Sequence, residues 1–509
     1  RGVSFRRGRN SRDAKSIHDT PVTLVRAHET RAPRRPRQLD CLSELRKNRP
    51  SVDMYSVLFR NVLFPVYETK LRRRATLTYL DELKRSQWRP ESELRELNWR
   101  KMLATLRFAE EKVPFYRRRF AEYGVRVKDV HAPADLVRFP VLTKADLRAH
   151  GGELIAEGWN GKLFRSGTGG STGEPAQFFY DHTTYECRQA AALRADAWAG
   201  GRIGDKELYI WGIPTHEPRW KKVKRTLHEA FLRKKTVSAW NLAEARLAGV
   251  VDEILRYQPN LVVGYTSPLY YTARYALEAG RRLPTPKGII ATAERLFPHQ
   301  REVIEKAFQA PVYDRYGCRE MMLIGAECER REGKHLNIEN VFVEVQCGGR
   351  LARPGEPGEV ILTDLLCRSM PLIRYKNEDV VVAADKPCSC GRGLPLLASV
   401  EGRVLDMIVG PDGQLLSAVF FPYFFKDNPT VERYQVHQDK SRAITIRIVP
   451  SAGYQPETSQ AIERDLRRFL GDRADIRVEL VDEIPVTSGG KFRFTVSEVP
   501  IEFGREAAA

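Results

Sequence analysis

No stretch of this 509-residue chain is apolar for anything near the roughly 18 residues that a bilayer-spanning helix needs. The longest candidates, Ala418 to Phe425 and the broken run Met54 to Tyr67, fall short, which excludes a transmembrane enzyme or carrier. Cysteine is scarce, eight residues in all, too few for a secreted disulfide scaffold, and no apolar leader-like run follows the basic start. A reducing cytoplasm is the expected compartment. Also missing are the Gly-Lys-Ser/Thr ending of a Walker loop, the glycine spacing of a dinucleotide fold, an internal repeat, and a Ser/His/Asp or Cys/His arrangement of triad type. With 42% apolar and 29% charged residues, the chain suits about two to four globular domains.

The formal charge of +19 is unevenly spread. Residues 1–40 hold 11 Lys and Arg against 4 Asp and Glu and few large apolar residues, so they are expected to form a disordered basic extension. Beyond it the charge is dispersed and no recognition motif accompanies it, which argues against a nucleic-acid-binding protein. From Leu42 to about Phe120 apolar residues recur at helical spacing, around Leu80, Leu83 and again Leu94, Met102, Leu106. Val113-Pro114-Phe115-Tyr116 interrupts that pattern, and Thr143 reads as the cap of a helix after an extended Phe139 to Leu142. Leu208–Trp211, Leu261–Tyr265 and Gly288–Ala291 read as buried strands, with an amphipathic helix over Leu242 to Tyr257, so an α/β domain with parallel sheet is expected. Val341–Val345 and Glu359–Thr363 predict an antiparallel or β-barrel-like section. After Glu401-Gly402-Arg403, strands at Thr445–Val449 and Ile476–Leu480 around a helix near Gln460 to Leu470 predict a small α+β domain. The division expected is 1–40, 41–402 and 403–509.

The segment richest in chemistry is Ser166-Gly167-Thr168-Gly169-Gly170-Ser171-Thr172-Gly173-Glu174-Pro175. Its glycines let backbone N–H groups converge on an anion, and the hydroxyls add donors, so it reads as a phosphate cradle. A flexible Gly/Ser loop is the plain alternative. Downstream follow Tyr316-Gly317-Cys318-Arg319-Glu320, Ile373-Arg374-Tyr375-Lys376-Asn377-Glu378-Asp379, Gly402-Arg403-Val404-Leu405-Asp406 and Pro485-Val486-Thr487-Ser488-Gly489-Gly490-Lys491. In this order and spacing they resemble the signature series of the adenylate-forming, acyl-CoA-synthetase-like superfamily. The segments Val113–Tyr116, Phe139–Lys144, Met370–Tyr375 and Cys388-Ser389-Cys390-Gly391-Arg392 are most similar to its phenylacetate-CoA ligase and CapK branch. The resemblance spans about residues 50 to 500.

The resemblance implies a large ATP- and acyl-binding domain carrying a small mobile C-terminal lid, and an AMP-forming acid ligase. Thr168, Gly169, Gly170, Ser171, Thr172 and Gly173 would hold the ATP phosphates, and Glu320 would coordinate Mg²⁺. Ala293, Glu294, Asp314, Tyr316 and Gly317 would line the adenine, and Asp379 would take the ribose hydroxyls. Lys491 would bridge the carboxylate and the α-phosphate, while Arg403 and Asp406 would mark the hinge. The acyl group would pass to CoA or, as in the context associated with CapK-like relatives, to an amine or hydroxyl in polysaccharide or small-molecule biosynthesis. Three departures stand out: Arg319 where relatives place Ser or Thr, Gly170 where a hydroxyl residue is common, and Lys376-Asn377-Glu378-Asp379 in place of Arg-Thr-Gly-Asp.

Cys328, His335, Cys388 and Cys390 form a second constellation of thiolates and imidazole suited to Zn²⁺. Four unlinked residues are the alternative from spacing alone, and the resemblance to metal-carrying relatives points to a structural zinc. Trp211, Tyr265, Tyr270 and Tyr271 are candidates for an acyl slot, Tyr265 foremost because it ends a strand after Gly264. His182 and His216 are the histidines that could serve as bases. The partners expected are a small carboxylic acid and an acyl acceptor, with no specific nucleic acid. Peripheral contact of Tyr55 to Pro65 with an anionic membrane, and a homodimer, stay open.

Overall fold

Two strands that are continuous hydrophobic runs, Leu261–Tyr265 and Gly288–Thr292, are buried at every position and set the middle of the molecule. A strand buried on both faces needs layers on both sides. In the computed structural model they lie in a twelve-stranded sheet. The structure describes residues 53–499 apart from 168–175, 212–217, 239–243, 404–406, 412–414, 418–419, 426–427, 429 and 486–492. Thus the cradle Thr168–Gly173, His216, Asp406 and Lys491 lie outside the described residues, as does the extension 1–40.

The strands are β1 (Phe164–Gly167), β2 (Gln177–Tyr180), β3 (Glu207–Trp211), β4 (Lys234–Ser238), β5 (Leu261–Tyr265), β6 (Gly288–Thr292), β7 (Val312–Tyr316), β8 (Gly325–Glu327), β9 (Lys334–Leu336), β10 (Val341–Cys347), β11 (Arg350–Leu351), β12 (Pro357–Asp364), β13 (Tyr375–Ala383) and β14 (Leu396–Arg403). The sheet order is β11-β10-β12-β13-β14-β9-β8-β7-β6-β5-β3-β4, while β1 and β2 form a separate hairpin. From β7 to β4 every pairing is parallel. From β7 to β11 the pairings turn antiparallel, and that half runs on in the same hydrogen-bonded order. The section that reads as antiparallel or barrel-like is thus an extension of the parallel sheet.

On one face Val262, Ile289 and Val312 pack with Val251, Ile254, Leu269 and Ile304 of the helices Glu244–Tyr257, Thr266–Glu278 and Pro298–Phe308. Leu261, Val263 and Ile290 point to the other face. The period-2 alternation explains the two clusters. The antiparallel half shares its core with the helices Thr76–Ser86, Glu91–Lys112 and His182–Trp198.

The segments resembling the phenylacetate-CoA ligase branch fold against one another. Pro114 opens the helix Pro114–Glu122, whose Tyr116 hydroxyl donates to Pro371 O at 3.0 Å and accepts from Ile373 N–H at 2.8 Å. Thr143 caps Lys144–His150 through a reciprocal box with Asp146, as its position predicts. Arg374 is buried with Glu344, each 1% exposed, Nε to Oε2 at 3.1 Å, and also donates to Phe139 O. Removing one partner strands the other charge in the core. Glu344→Ala is therefore expected to cost about 3–5 kcal/mol, measured by denaturant unfolding.

The C-terminal unit contains β15 (Met407–Val409) and β16 (Leu415–Ser417), a hairpin, then β17 (Val431–Gln438), β18 (Ile444–Pro450), β19 (Ile476–Leu480) and β20 (Thr495–Ser497) in the order β19-β18-β17-β20. The helix Pro456–Leu470 buries Ile462, Leu466 and Leu470 against that sheet. These elements make a small α+β C-terminal domain, as the sequence predicts.

Candidate active site

Tyr316 ends β7 and begins the segment running to Glu320, and β13 lies where it can meet both ends of that segment. The Tyr316 hydroxyl donates to Asp379 Oδ2 at 2.8 Å, and the Tyr375 hydroxyl donates to Glu320 Oε1 at 2.7 Å. Asn377 Nδ2 donates to Asp379 Oδ2 at 2.7 Å and to the Tyr316 hydroxyl at 2.9 Å, closing a triangle. Burial and the carboxylate beside each ring, Asp379 for Tyr316 and Glu320 for Tyr375, push both phenol pKa values up, so both hydroxyls remain protonated donors. Gly317 permits the turn between them, because a Cβ there would meet Met322 O at 2.0 Å.

Glu320 is 5% exposed, and among the described residues no Lys or Arg pairs with it. A buried carboxylate met by neutral donors, the Tyr375 hydroxyl and the Cys318 thiol, has a place for a cation that arrives with a ligand. Its neighbour Arg319 is exposed and donates from Nη1 to Gly167 O at 3.3 Å. The arginine standing in place of Ser or Thr thus tethers this segment to the stem of the glycine-rich loop.

Asp379 sits at an irregularity in the β12–β13 pairing, where the register moves between Glu359 and Ile361. Such a bulge re-aims side chains. Glu378, the residue replacing glycine in the ribose segment, takes φ +67° and pairs with Lys144. The pair holds a left-handed conformation that a side chain resists. Glu378→Gly is expected to keep the loop and to change unfolding free energy by less than about 1 kcal/mol, the relieved strain offsetting the lost pair. Across the ladder Asp379 is paired with Arg403, and Arg295, just after β6, donates to Glu401 O at 2.7 Å and to its carboxylate at 2.8 Å. The candidate ribose acid and the start of the candidate hinge are cross-strand neighbours.

Around the expected adenine site the side chains have other work. Glu294 Oε2 accepts from Ser267 N–H at 2.7 Å at the start of the helix Thr266–Glu278, where a carboxylate is favoured. Ala293, at φ +69°, turns the chain after β6. Asp314 forms an ion pair with Lys334 at 2.8 Å. Tyr265 ends β5 with its ring centroid 4.4 Å from Trp211 at the end of β3. Both lie at the carboxyl ends of parallel strands, where open α/β sheets bind ligands. Tyr270 and Tyr271 are set elsewhere, against His299 at 5.8 Å and near the Arg433 guanidinium at 6.0 Å. His182 is at the surface, Nδ1 to Glu186 Oε1 at 2.6 Å.

The second constellation comes together. The ligand atoms of Cys328, His335, Cys388 and Cys390 all lie within 4.8 Å of one another. Cys328 and Cys388 sulfurs are 3.7 Å apart, close to the edge of about 3.8 Å expected for a tetrahedron with Zn–S near 2.3 Å. Cys390 Sγ is 3.3 Å from His335 Nε2, and His335 Nδ1 faces Leu394 O at 3.1 Å, which directs the Nε2 lone pair at the sulfurs. Burial pushes His335 down to about 4, which keeps it neutral. Backbone N–H groups of Arg330 and Arg392 point at the Cys328 and Cys390 sulfurs, each at 3.4 Å. The donors fit a closed zinc site. Arg392 stacks on Trp88 and Trp198 and bonds Gln87 Oε1, so the cluster fastens the N-terminal helices to the sheet.

Sequence reasoning missed Lys144, Arg295 and the separate task of Glu294. Tyr375 and Asn377 were within its motifs, but only strand pairing reveals which carboxylate each serves.

The fold is that of the adenylate-forming enzymes: it matches a crystal structure of 2-hydroxyisobutyryl-CoA ligase in the postadenylation state with a TM-score of 0.66, at 21% identity, over 82% of this chain and 92% of that one. Within that class the chain is similar to the CapK and phenylacetate-CoA ligase branch. Residues 408–498 match the CapK C-terminal domain. The chain is 25% identical to Protein CapK of Staphylococcus aureus, over 87% of itself and 98% of that protein. It is 24% identical to the phenylacetate-coenzyme A ligase of Aromatoleum evansii, over 81% of itself and 96% of that protein.

Proposed function

We propose that the chain is an ATP- and Mg²⁺-dependent ligase that activates a carboxylic acid as its acyl-adenylate and then passes the acyl group to CoA. The observation that carries this reading is the pair of ties from β13 to the Tyr316–Glu320 segment, one through Asp379 and one through Glu320. They hold Asp379 and Glu320, which this reading makes the ribose acceptor and the cation ligand, at the two ends of a segment tied by Arg319 to the stem of a glycine-rich loop. In the first half-reaction a substrate carboxylate oxygen forms a bond to the α-phosphorus and the bond to pyrophosphate breaks. Glu320 would hold Mg²⁺, which would supply charge neutralisation at the phosphates. Thr168 to Gly173 donate to the leaving pyrophosphate, Asp379 accepts from the ribose, and Lys491 draws the carboxylate to the α-phosphate. In the second half-reaction the CoA thiolate attacks the acyl carbon and AMP leaves. Tyr265 and Trp211 bound the acyl side, and residues 403–509 act as the lid, turning about Arg403 and Asp406.

Tyr375→Phe removes only the donor to Glu320. It is expected to lower kcat for acid-dependent pyrophosphate release about tenfold with little change in KM for the acid, the sign of a positioning residue. An unchanged kcat would remove Tyr375 from the site.

Transfer to an amine or hydroxyl is the second reading, favoured by the match to the CapK C-terminal domain and the full-length similarity to CapK. CoA-stimulated turnover separates the two. The cysteine cluster is proposed to hold one structural Zn²⁺ per chain. Metal analysis should find one equivalent, and Cys388→Ser should lower Tm by about 5–10 °C. Metal-free protein with an unchanged Tm would contradict the assignment. Among the described residues no helix is long and apolar enough to cross a membrane.

A further inference from the structure

The crossover from β3 to β4 contains the helix Arg219–Phe231, and not one of its residues is buried. Trp220, Val223 and Leu227 fall at i, i+3 and i+7, within a third of a turn, and are 64%, 59% and 67% exposed. Phe231 continues the stripe into contact with a second helical run, its ring 5.3 Å from Phe59 and 5.1 Å from Tyr67. That run passes through Met54–Leu58, Phe59–Leu63, Phe64–Val66 and Tyr67–Leu71, alternating α and π turns. The i→i+5 turns underwind it, so residues four apart stay on one face. Those residues are Met54, Leu58, Val62 and Val66, and all four are exposed.

A surface helix draws most of its stability from packing an apolar face; here the helix Arg219–Phe231 leaves its own to solvent, and the adjoining run, which buries Phe59 on its inner side, leaves a second apolar stripe exposed beside it. The rim is basic. Arg219, Lys221, Lys222 and Lys224 are exposed around Trp220, and Glu229, the one acid of this helix, is paired with Arg225 at 3.4 Å. Lys70, Arg72 and Arg73 close the other run.

Charge selects the occupant. A second copy would set this face against an identical basic face. Residues 1–52 carry 14 Lys and Arg against 5 Asp and Glu, so the preceding segment is repelled as well. Nucleic acid offers phosphates but no apolar phase for Trp220 and Leu227. An anionic bilayer offers both, headgroups for the lysines and the acyl boundary for the stripe. We infer that the paired helices dock this protein on an anionic lipid surface.

The test is sedimentation of the full chain with vesicles of phosphatidylcholine alone or with about 30 mol% phosphatidylglycerol. At low salt about tenfold more protein should pellet with the anionic vesicles, and about 0.5 M NaCl should remove most of the difference. Trp220→Glu with Leu227→Glu should return binding to the phosphatidylcholine level with an unchanged Tm, since neither side chain is buried. Lys221→Arg should bind as the parent. Equal pelleting with both vesicles, or full binding by the double variant, would overturn the proposal. So would a concentration-dependent dimer abolished by the double variant, or retention on a polyglutamate matrix without vesicle binding, which would assign the face to a second copy or to an acidic protein.

Discussion

Lys491→Ala is expected to slow acid-dependent pyrophosphate release by about 10²–10³-fold, while acyl transfer from a supplied acyl-adenylate changes by less than about threefold. A carboxylate approaching a polyphosphate meets like charge, and a point cation between the two oxygens offsets that repulsion only while the new bond forms. The second half-reaction brings a thiolate to a neutral carbonyl and does not need the same cation. On either side of the segment 486–492 the described residues are packed. Ile484 packs with Val449 and Phe494, Gln435 Nε2 donates to Arg493 O at 3.0 Å, and the Phe494 ring meets Phe297, four residues beyond Ala293, at 6.4 Å. Quenched-flow assays of each half-reaction separate the outcomes; equal loss in both would remove Lys491 from the adenylation step.

Glu320→Gln should lower adenylation by about 10²-fold and make nucleotide binding nearly indifferent to Mg²⁺. The amide keeps the shape and can still accept from Tyr375, so only the charge is lost. Folding should move the other way. A buried carboxylate with no cationic partner among the described residues costs stability in the ligand-free protein, and neutralising it should leave Tm equal or higher. Calorimetry of nucleotide binding with and without Mg²⁺, beside a thermal melt, reads both. A Tm fall of several degrees with Mg²⁺-dependent binding retained would make Glu320 a packing residue.

The parallel half of the sheet was legible because its signal is local. Leu261–Tyr265 and Gly288–Thr292 are short apolar runs bounded by turn residues, and both are strands. Thr143 announced its helix through one hydrogen-bonding side chain. The Cys328, His335, Cys388 and Cys390 grouping was also readable, although only pairing of β9 with β14 shows how residues more than fifty positions apart meet. Long-range pairing is what the chain conceals. The Arg374–Glu344 pair, the Lys144–Glu378 pair and the Tyr375–Glu320 bond each join residues at least thirty positions apart and follow no periodicity. Glu294 is a further case. The resemblance implies a place at the adenine for it, and no pattern in the sequence foretells that its carboxylate accepts from Ser267 N–H at the start of the helix beginning at Thr266.

The most direct test of the central claim is pyrophosphate release from Mg-ATP across a panel of aryl, fatty and amino acids, with and without CoA. Release that depends on the acid and rises with CoA is the result expected of an adenylating acid-CoA ligase; release that depends on the acid and ignores CoA would move the acceptor to an amine or hydroxyl. No acid-dependent release from any member, with nucleotide still bound, would contradict the assignment of adenylation to this site.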